Sequence, residues 1–141
     1  TQIDQKAVVL NQDGEMLMVR RSKTDIRRPL QWDLPGGMYE DGEELIKSVE
    51  REITEETSLK VKGLLPVYST THVRQWKDDE GGHISNVVFI FYTAKAITAD
   101  VKISFEHDKF QWKPIEEAVK EYEYDLHKEL LQYIIDNELL S

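Results

Sequence analysis

Within Arg51-Glu52-Ile53-Thr54-Glu55-Glu56 three carboxylates stand three and four residues apart, a spacing that sets side chains next to one another on a helix. Read as the end of a helix that starts near Asp41, they also oppose the negative end of the helix dipole, each at a cost of a few tenths to about 1 kcal/mol. A nearby cation would relieve both effects. Oxygen ligands clustered on one face suit a hard divalent ion, Mg²⁺ or Mn²⁺, which prefers carboxylates and phosphates to soft donors. The competing reading is a solvated acidic helix face, the ordinary fate of a charge run.

The elements around this stretch must hold it at a cleft. Gln31 to Leu34 is extended, because a residue before proline is pushed out of the helical region, and Leu34 precedes Pro35. Gly36-Gly37 then lets the backbone turn and approach a neighbour closely. Asp41 is placed to cap the helix, with Glu44 completing a capping box. Leu45, Val49 and Ile53 recur every four residues as the buried stripe. At 100° per residue Glu52 and Glu56 border that stripe, and Glu55 lies further round.

Upstream, Lys6 to Asn11 and Glu15 to Ser22 flank Asp13-Gly14, which predicts an antiparallel hairpin. Its second arm has apolar residues in both phases and belongs inside a sheet. Arg20, Arg21, Lys23, Arg27 and Arg28 put five of the chain's eighteen cations within nine residues. They form either a phosphate-facing edge or a solvated loop tip that pairs with the acidic helix. Downstream, Leu59 to Arg74 and His83 to Ala96 read as long β segments, with Pro66 at a bulge or strand start. The polar stretch Gln75 to Gly82 is either a mobile lip over a ligand or a hairpin connection. Phe110 to Trp112 is a short strand, Lys113-Pro114 opens a helix near Ile115, and Leu126, Leu130, Leu131, Ile134 and Ile135 mark a terminal amphipathic helix.

Gly37, Glu43, Arg51-Glu52, Ile53, Glu55-Glu56 and Leu59 stand in the register of the Nudix box, which this window closely resembles. The resemblance implies an α/β Nudix fold, a mixed β-sheet sandwiched between helices (an α/β/α sandwich), filling residues 1–141 as a single domain. It makes Glu52, Glu55 and Glu56 metal ligands, with the Gly37 carbonyl as a further one. Glu52 is then the general base, although some members place the base on a distant loop. Arg51 would hold a box glutamate, and its four-residue separation from Glu55 makes that pair available. Glu43 would support the loop. Where the family usually has glycine this chain has Ser58, and serine adopts a left-handed helix cap at a cost of roughly 1 kcal/mol.

Outside the box, Glu106 stands where family members often carry another acidic residue, so it is either a metal ligand or base, or part of a polar turn with His107. His72 and His83 read as structural or solvent-facing, and His127 as lying on a helix surface. Arg20, Arg21 and Arg28 are candidates for substrate phosphates, and Trp32 for stacking on a base at the mouth of the site. For Trp76 and Tyr68 core packing is favoured.

The 141 residues are about one domain's worth, and a formal charge of −9 excludes a module that coats a nucleic-acid polymer. The chain has no cysteine, which excludes disulfides and thiolate chemistry. No apolar run approaches the ~20 residues of a membrane span, so a cytoplasmic protein with no membrane partner is expected. Nor is a GxxxxGK[ST] phosphate loop present.

The resemblance implies a divalent-metal-dependent pyrophosphohydrolase, monomer or homodimer, that cleaves a nucleoside diphosphate linked to another group and releases a nucleoside monophosphate. An oxidised or ordinary nucleoside triphosphate is the preferred substrate reading. His72 to Trp76 lacks the proline or tyrosine that marks some subfamilies. The alternative is a non-catalytic nucleotide-binding or sensor module on the same fold.

Overall fold

The computed structural model describes residues 1–140 and is organised by one seven-stranded sheet. Strand β1 (Gln2–Leu10) runs parallel to β6 (Gly81–Ala96), whereas β2 (Met16–Arg21), β3 (Trp32–Asp33), β4 (Gly36–Met38), β5 (Val61–Asp78) and β7 (His107–Lys113) pair antiparallel with their neighbours. The sheet is therefore mixed.

Strand alternation feeds two cores. Val8, Met16 and Met18 enter one, with Phe89 and Phe91, under the C-terminal helix α3 (Asp125–Asp136). Ala7, Val9, Leu17 and Val19 enter the other, with Val49 and Ile53 of α1 (Leu45–Thr57). Helices cover both faces, which gives the sandwich. The expected β1–β2 hairpin is present, closed by Asn11, whose side-chain oxygen accepts from Asp13 N–H and Glu15 N–H. All four residues Met16 to Val19 are fully buried, as their two-phase apolarity required.

Several elements differ from expectation. The helix starts at Leu45, not near Asp41, and its cap residue Glu44 makes no side-chain capping bond. Gly42, at φ 92°, is left-handed, Glu43 N–H donates to the Glu40 carbonyl, and the Tyr39 hydroxyl takes the Glu43 carbonyl at 2.6 Å. That turn cannot continue as a helix, so the Asp41–Glu44 capping box does not form. Leu45, at the first turn, is 39% exposed, while Ser48, Val49, Ile53, Glu56 and Thr57 form the buried face.

The polar stretch from Gln75 to Gly82 is a hairpin connection. Pairing of β5 with β6 continues to Asp78–Gly81, leaving Asp79 and Glu80 as the turn. Register shifts fall between Lys62 and Leu65 and beside Pro66, so of the two expectations there, a bulge or a strand start, the bulge is found. The helix after Pro114 is short, α2 (Ile115–Ala118), followed by a 3₁₀ turn at Val119–Glu121. Among the described residues no helix is long and apolar enough to cross a membrane.

The close approach that Gly36-Gly37 predicted is with β1. Gly36 pairs with Lys6 and has φ 143°, and a Cβ there would stand 2.0 Å from the Gln5 carbonyl oxygen. Glycine alone lets β4 lie against β1 and deliver the next residue to the glutamates. Gly36→Ala is expected to lower stability by about 3 kcal/mol or more, read as the midpoint and slope of urea unfolding. A wild-type midpoint would refute the close approach.

Candidate active site

The last two turns of α1 carry the carboxylates to the sheet. Glu56 is 7% exposed, and its Oε1 accepts from Gly36 N–H at 3.1 Å. Burial pushes this carboxyl up to about 8, against the opposing pull of Lys6 and the Gly36 hydrogen bond. Glu52 is also raised, first by burial, with Arg51 opposing and Glu55 adding to the rise. A Cβ on Gly37 would fall 2.5 Å from Glu52 Oε2, so this glycine makes room for the carboxylate against the backbone.

Arg51 organises the outer side of the cluster. Its Nε and Nη2 grip Glu43 in a bidentate pair at 2.9 and 2.8 Å, while Nη1 reaches Glu52 at 3.2 Å and Glu55 at 3.1 Å. The expected Arg51–Glu55 pair is thus present, and Glu43 anchors the arginine. The last turn of α1 has no basic residue of its own, and Ser58 closes it in the left-handed conformation, at φ 65°. Ser58 N–H donates to the Thr54 carbonyl and its hydroxyl to the Lys102 carbonyl, so serine does here what glycine does more cheaply.

Glu52, Glu56, Gly37 and Glu106 line one cleft of about 480 Å³. Glu106 is exposed and comes from the loop before β7, where its carbonyl accepts from Ser22 N–H. Among the described residues no three carboxylate or imidazole side chains close into a ready-made cage. The donor set nevertheless fits a hard divalent ion. It consists of oxygens only, and among the described residues the buried Glu56 carboxyl has no cation in salt-bridge contact, since Lys6 is turned to Asp33.

The basic residues divide. Arg21 and Arg28 line the cleft, but Arg20 does not, because Asp108 across β7 takes it in a bidentate pair at 2.8 and 2.7 Å. Trp32 packs against the core and is likewise absent from the cleft wall. Tyr68 packs on Phe91 and Tyr133, and Trp76 stacks on His83 near the hairpin tip. His72 lies edge-on to Tyr124 and lines the cleft. His107 is buried rather than in a polar turn, and burial pushes its imidazole down to about 4.

A buried network beneath the cleft was not foreseen. Asp33 receives Arg21 Nη1 at 2.6 Å and Lys6 Nζ at 3.5 Å on one oxygen, and His127 Nε2 at 2.7 Å and Leu34 N–H at 2.8 Å on the other. Burial by itself would raise this carboxyl, but Lys6 and the His127 hydrogen bond outweigh it and hold it well below the usual range. His127 is fully buried, not on a helix surface. The signal for His127 was available, since residues 127, 130, 131 and 134 share one helical stripe.

The chain matches the NUDIX domain model over residues 2–134 and belongs to that family. It is 38% identical over 84 residues to an ADP-ribose pyrophosphatase of Methanocaldococcus jannaschii, an overlap of 58% of this chain and 46% of that protein. It is 26% identical over 117 residues to Nudix hydrolase 5 of Arabidopsis thaliana, 82% of this chain and 37% of that one. The chain thus spans less than half the length of these curated relatives. Among solved structures, the MutT protein from Methanosarcina mazei superposes with a TM-score of 0.73 at 28% identity, covering 96% of this chain and 94% of that one.

The raised Glu56 carboxyl makes stability pH-dependent. Between its ordinary value of 4.5 and about 8 the unfolded chain has released this proton and the folded chain keeps it. Without metal, Glu56 therefore makes stability fall as pH rises through that window, with no further loss above it. Glu56→Gln keeps the acceptor for Gly36 N–H and removes the titration. In chelator, the wild-type melting temperature is expected to decline relative to Glu56→Gln from pH 5 to pH 8, and millimolar Mg²⁺ to reverse the decline. Parallel profiles would refute the assignment.

Proposed function

We propose that this chain is a divalent-metal-dependent pyrophosphohydrolase, which cleaves a nucleoside diphosphate linked to another group and releases a nucleoside monophosphate. The observation that carries this reading is the convergence of Glu52, Glu56 and Gly37 on one wall of a cleft that also contains arginines. The 38% identical relative is named for the pyrophosphatase reaction on ADP-ribose, and a Mus musculus relative, 40% identical over 53 residues, as an 8-oxo-dGDP phosphatase. Both named substrates contain a nucleoside diphosphate.

In this proposal Glu52, Glu55, Glu56, the Gly37 carbonyl and Glu106 hold Mg²⁺, or Mn²⁺ in its place. When bound, the ion would supply charge neutralisation for the substrate's phosphates and would lower the pKa of a water. Glu52 takes the proton of the attacking water as its oxygen bonds to phosphorus and the anhydride P–O bond breaks. Its carboxyl is suited to that role, because burial raises its basicity, Arg51 fixes one oxygen, and Gly37 leaves space at the other. Arg51 is a positioning residue, and Arg21, already held by Asp33 and Asp25, presents a fixed charge at the cleft. One domain built around the single sheet carries all of these groups.

The test is a substrate panel of nucleoside triphosphates, an oxidised guanine nucleotide, ADP-ribose and dinucleoside polyphosphates, run with Mg²⁺ and with chelator, with products separated by chromatography. Metal-dependent release of a nucleoside monophosphate is expected. Glu52→Gln should lower kcat by about 10²- to 10⁴-fold with an unchanged unfolding midpoint. Full activity in that variant would remove Glu52 from the chemistry.

A further inference from the structure

After Asp33 and Asp25 have engaged Lys6 and Arg21, three cations of the cleft remain. Arg27 and Arg28, from the loop after β2, and Arg74, from β5, line the same cavity. Among the described residues no carboxylate lies within salt-bridge distance of any of them, in a chain with 27 acidic side chains. Arg28 packs its guanidinium 3.8 Å above the Tyr124 ring and has a buried Nη1 with no hydrogen-bond partner. Among the described residues the Arg74 guanidinium reaches only the side-chain oxygen of Gln2, at 3.4 Å. Burial, and then the charge of Arg27, hold the Arg74 guanidinium below its ordinary value, with Asp4 opposing.

Asp4, which shares the cleft, pairs with none of the three guanidiniums. Arg28, His72 and Tyr124 also line an adjoining cavity of about 430 Å³, where Glu123, Asp125 and Glu129 make no salt bridge with Arg28. Unpaired arginines gathered at the cost of mutual repulsion, one with an orphaned buried donor, form a receptor for a polyvalent anion. Forked guanidinium donors match phosphoryl oxygens best.

Resting on the pyrophosphohydrolase reading, we propose that Arg27, Arg28 and Arg74 receive a phosphoryl group of the substrate other than the two of the scissile diphosphate. The preferred substrates are then nucleotides with at least one phosphoryl group beyond the scissile diphosphate. The third phosphate of a nucleoside triphosphate, the longer bridge of a dinucleoside polyphosphate and a phosphorylated leaving group share this chemistry. ADP-ribose lacks it.

The test uses the Arg27→Gln/Arg74→Gln double variant, which leaves Arg28 on Tyr124, with Arg74→Gln alone as a second variant should the double variant not fold. In chelator, calorimetric titration with inorganic tripolyphosphate is expected to show binding to the wild type and to Glu52→Gln, weakened about tenfold or more in the arginine variant. With Mg²⁺, that variant should raise KM for a nucleoside triphosphate about tenfold while changing KM for ADP-ribose less than about twofold. Equal effects on both substrates, or undiminished tripolyphosphate binding, overturn the proposal. A wild type that hydrolyses nothing, yet loses tripolyphosphate binding with the arginines, would sink the hydrolase reading and leave the anion site standing. Arg27→Lys/Arg74→Lys, which keeps charge without the fork, should recover binding only in part.

Discussion

The buried carboxylate of Asp33 is the constraint on which the cleft depends. It joins Lys6 of β1, Arg21 of β2 and His127 of α3 through its two oxygens, while its carbonyl accepts from the Tyr122 hydroxyl. A carboxylate this deep is tolerable only when surrounded by donors, and a cation so buried only when paired. One side chain therefore ties three strands to the C-terminal helix at the floor of the cleft. It also sorts the positive charge: Lys6 and Arg21 are committed below, and Arg27, Arg28 and Arg74 are left free above.

The glutamates at the other wall are held by opposite means. Asp33 is stabilised in its charged form, whereas Glu56 is buried with one backbone donor and no paired cation, which favours its neutral form. Two acids of similar burial thus shift in opposite directions, because one has its cations and the other lacks one. The deficit at Glu56 lies where the helix dipole is also negative. Arg51 relieves only the outer carboxylates, Glu52 and Glu55, and is itself fixed by Glu43.

The cleft is consequently bipolar. A glutamate short of a paired cation and arginines short of paired carboxylates line it together, although the chain as a whole carries −9. Net charge is the ground for expecting no nucleic-acid polymer as partner, but it says nothing about a local field built by three arginines from two separate segments.

The sequence by itself determined whatever local spacing controls. The i, i+3 and i+4 positions of Glu52, Glu55 and Glu56, the Arg51–Glu55 pair, the two-sided burial of β2 and the Gly36 approach all follow from periodicity, or from what a backbone permits at glycine and before proline, whereas the left-handed cap at Ser58 was expected only through the family resemblance. Its local signals also misled where a nearby group competed. Gly42 and the Tyr39–Glu43 bond moved the helix start, and Asp108 removed Arg20 from the cleft. Only the tertiary structure decided which charges meet. The Asp33–His127 contact spans 94 residues, and Arg74 lies more than forty residues beyond Arg28, so each pairing rests on how β1, β5 and α3 pack together. Charge partnership acts through space over a few ångströms, and no local rule of chain geometry encodes it.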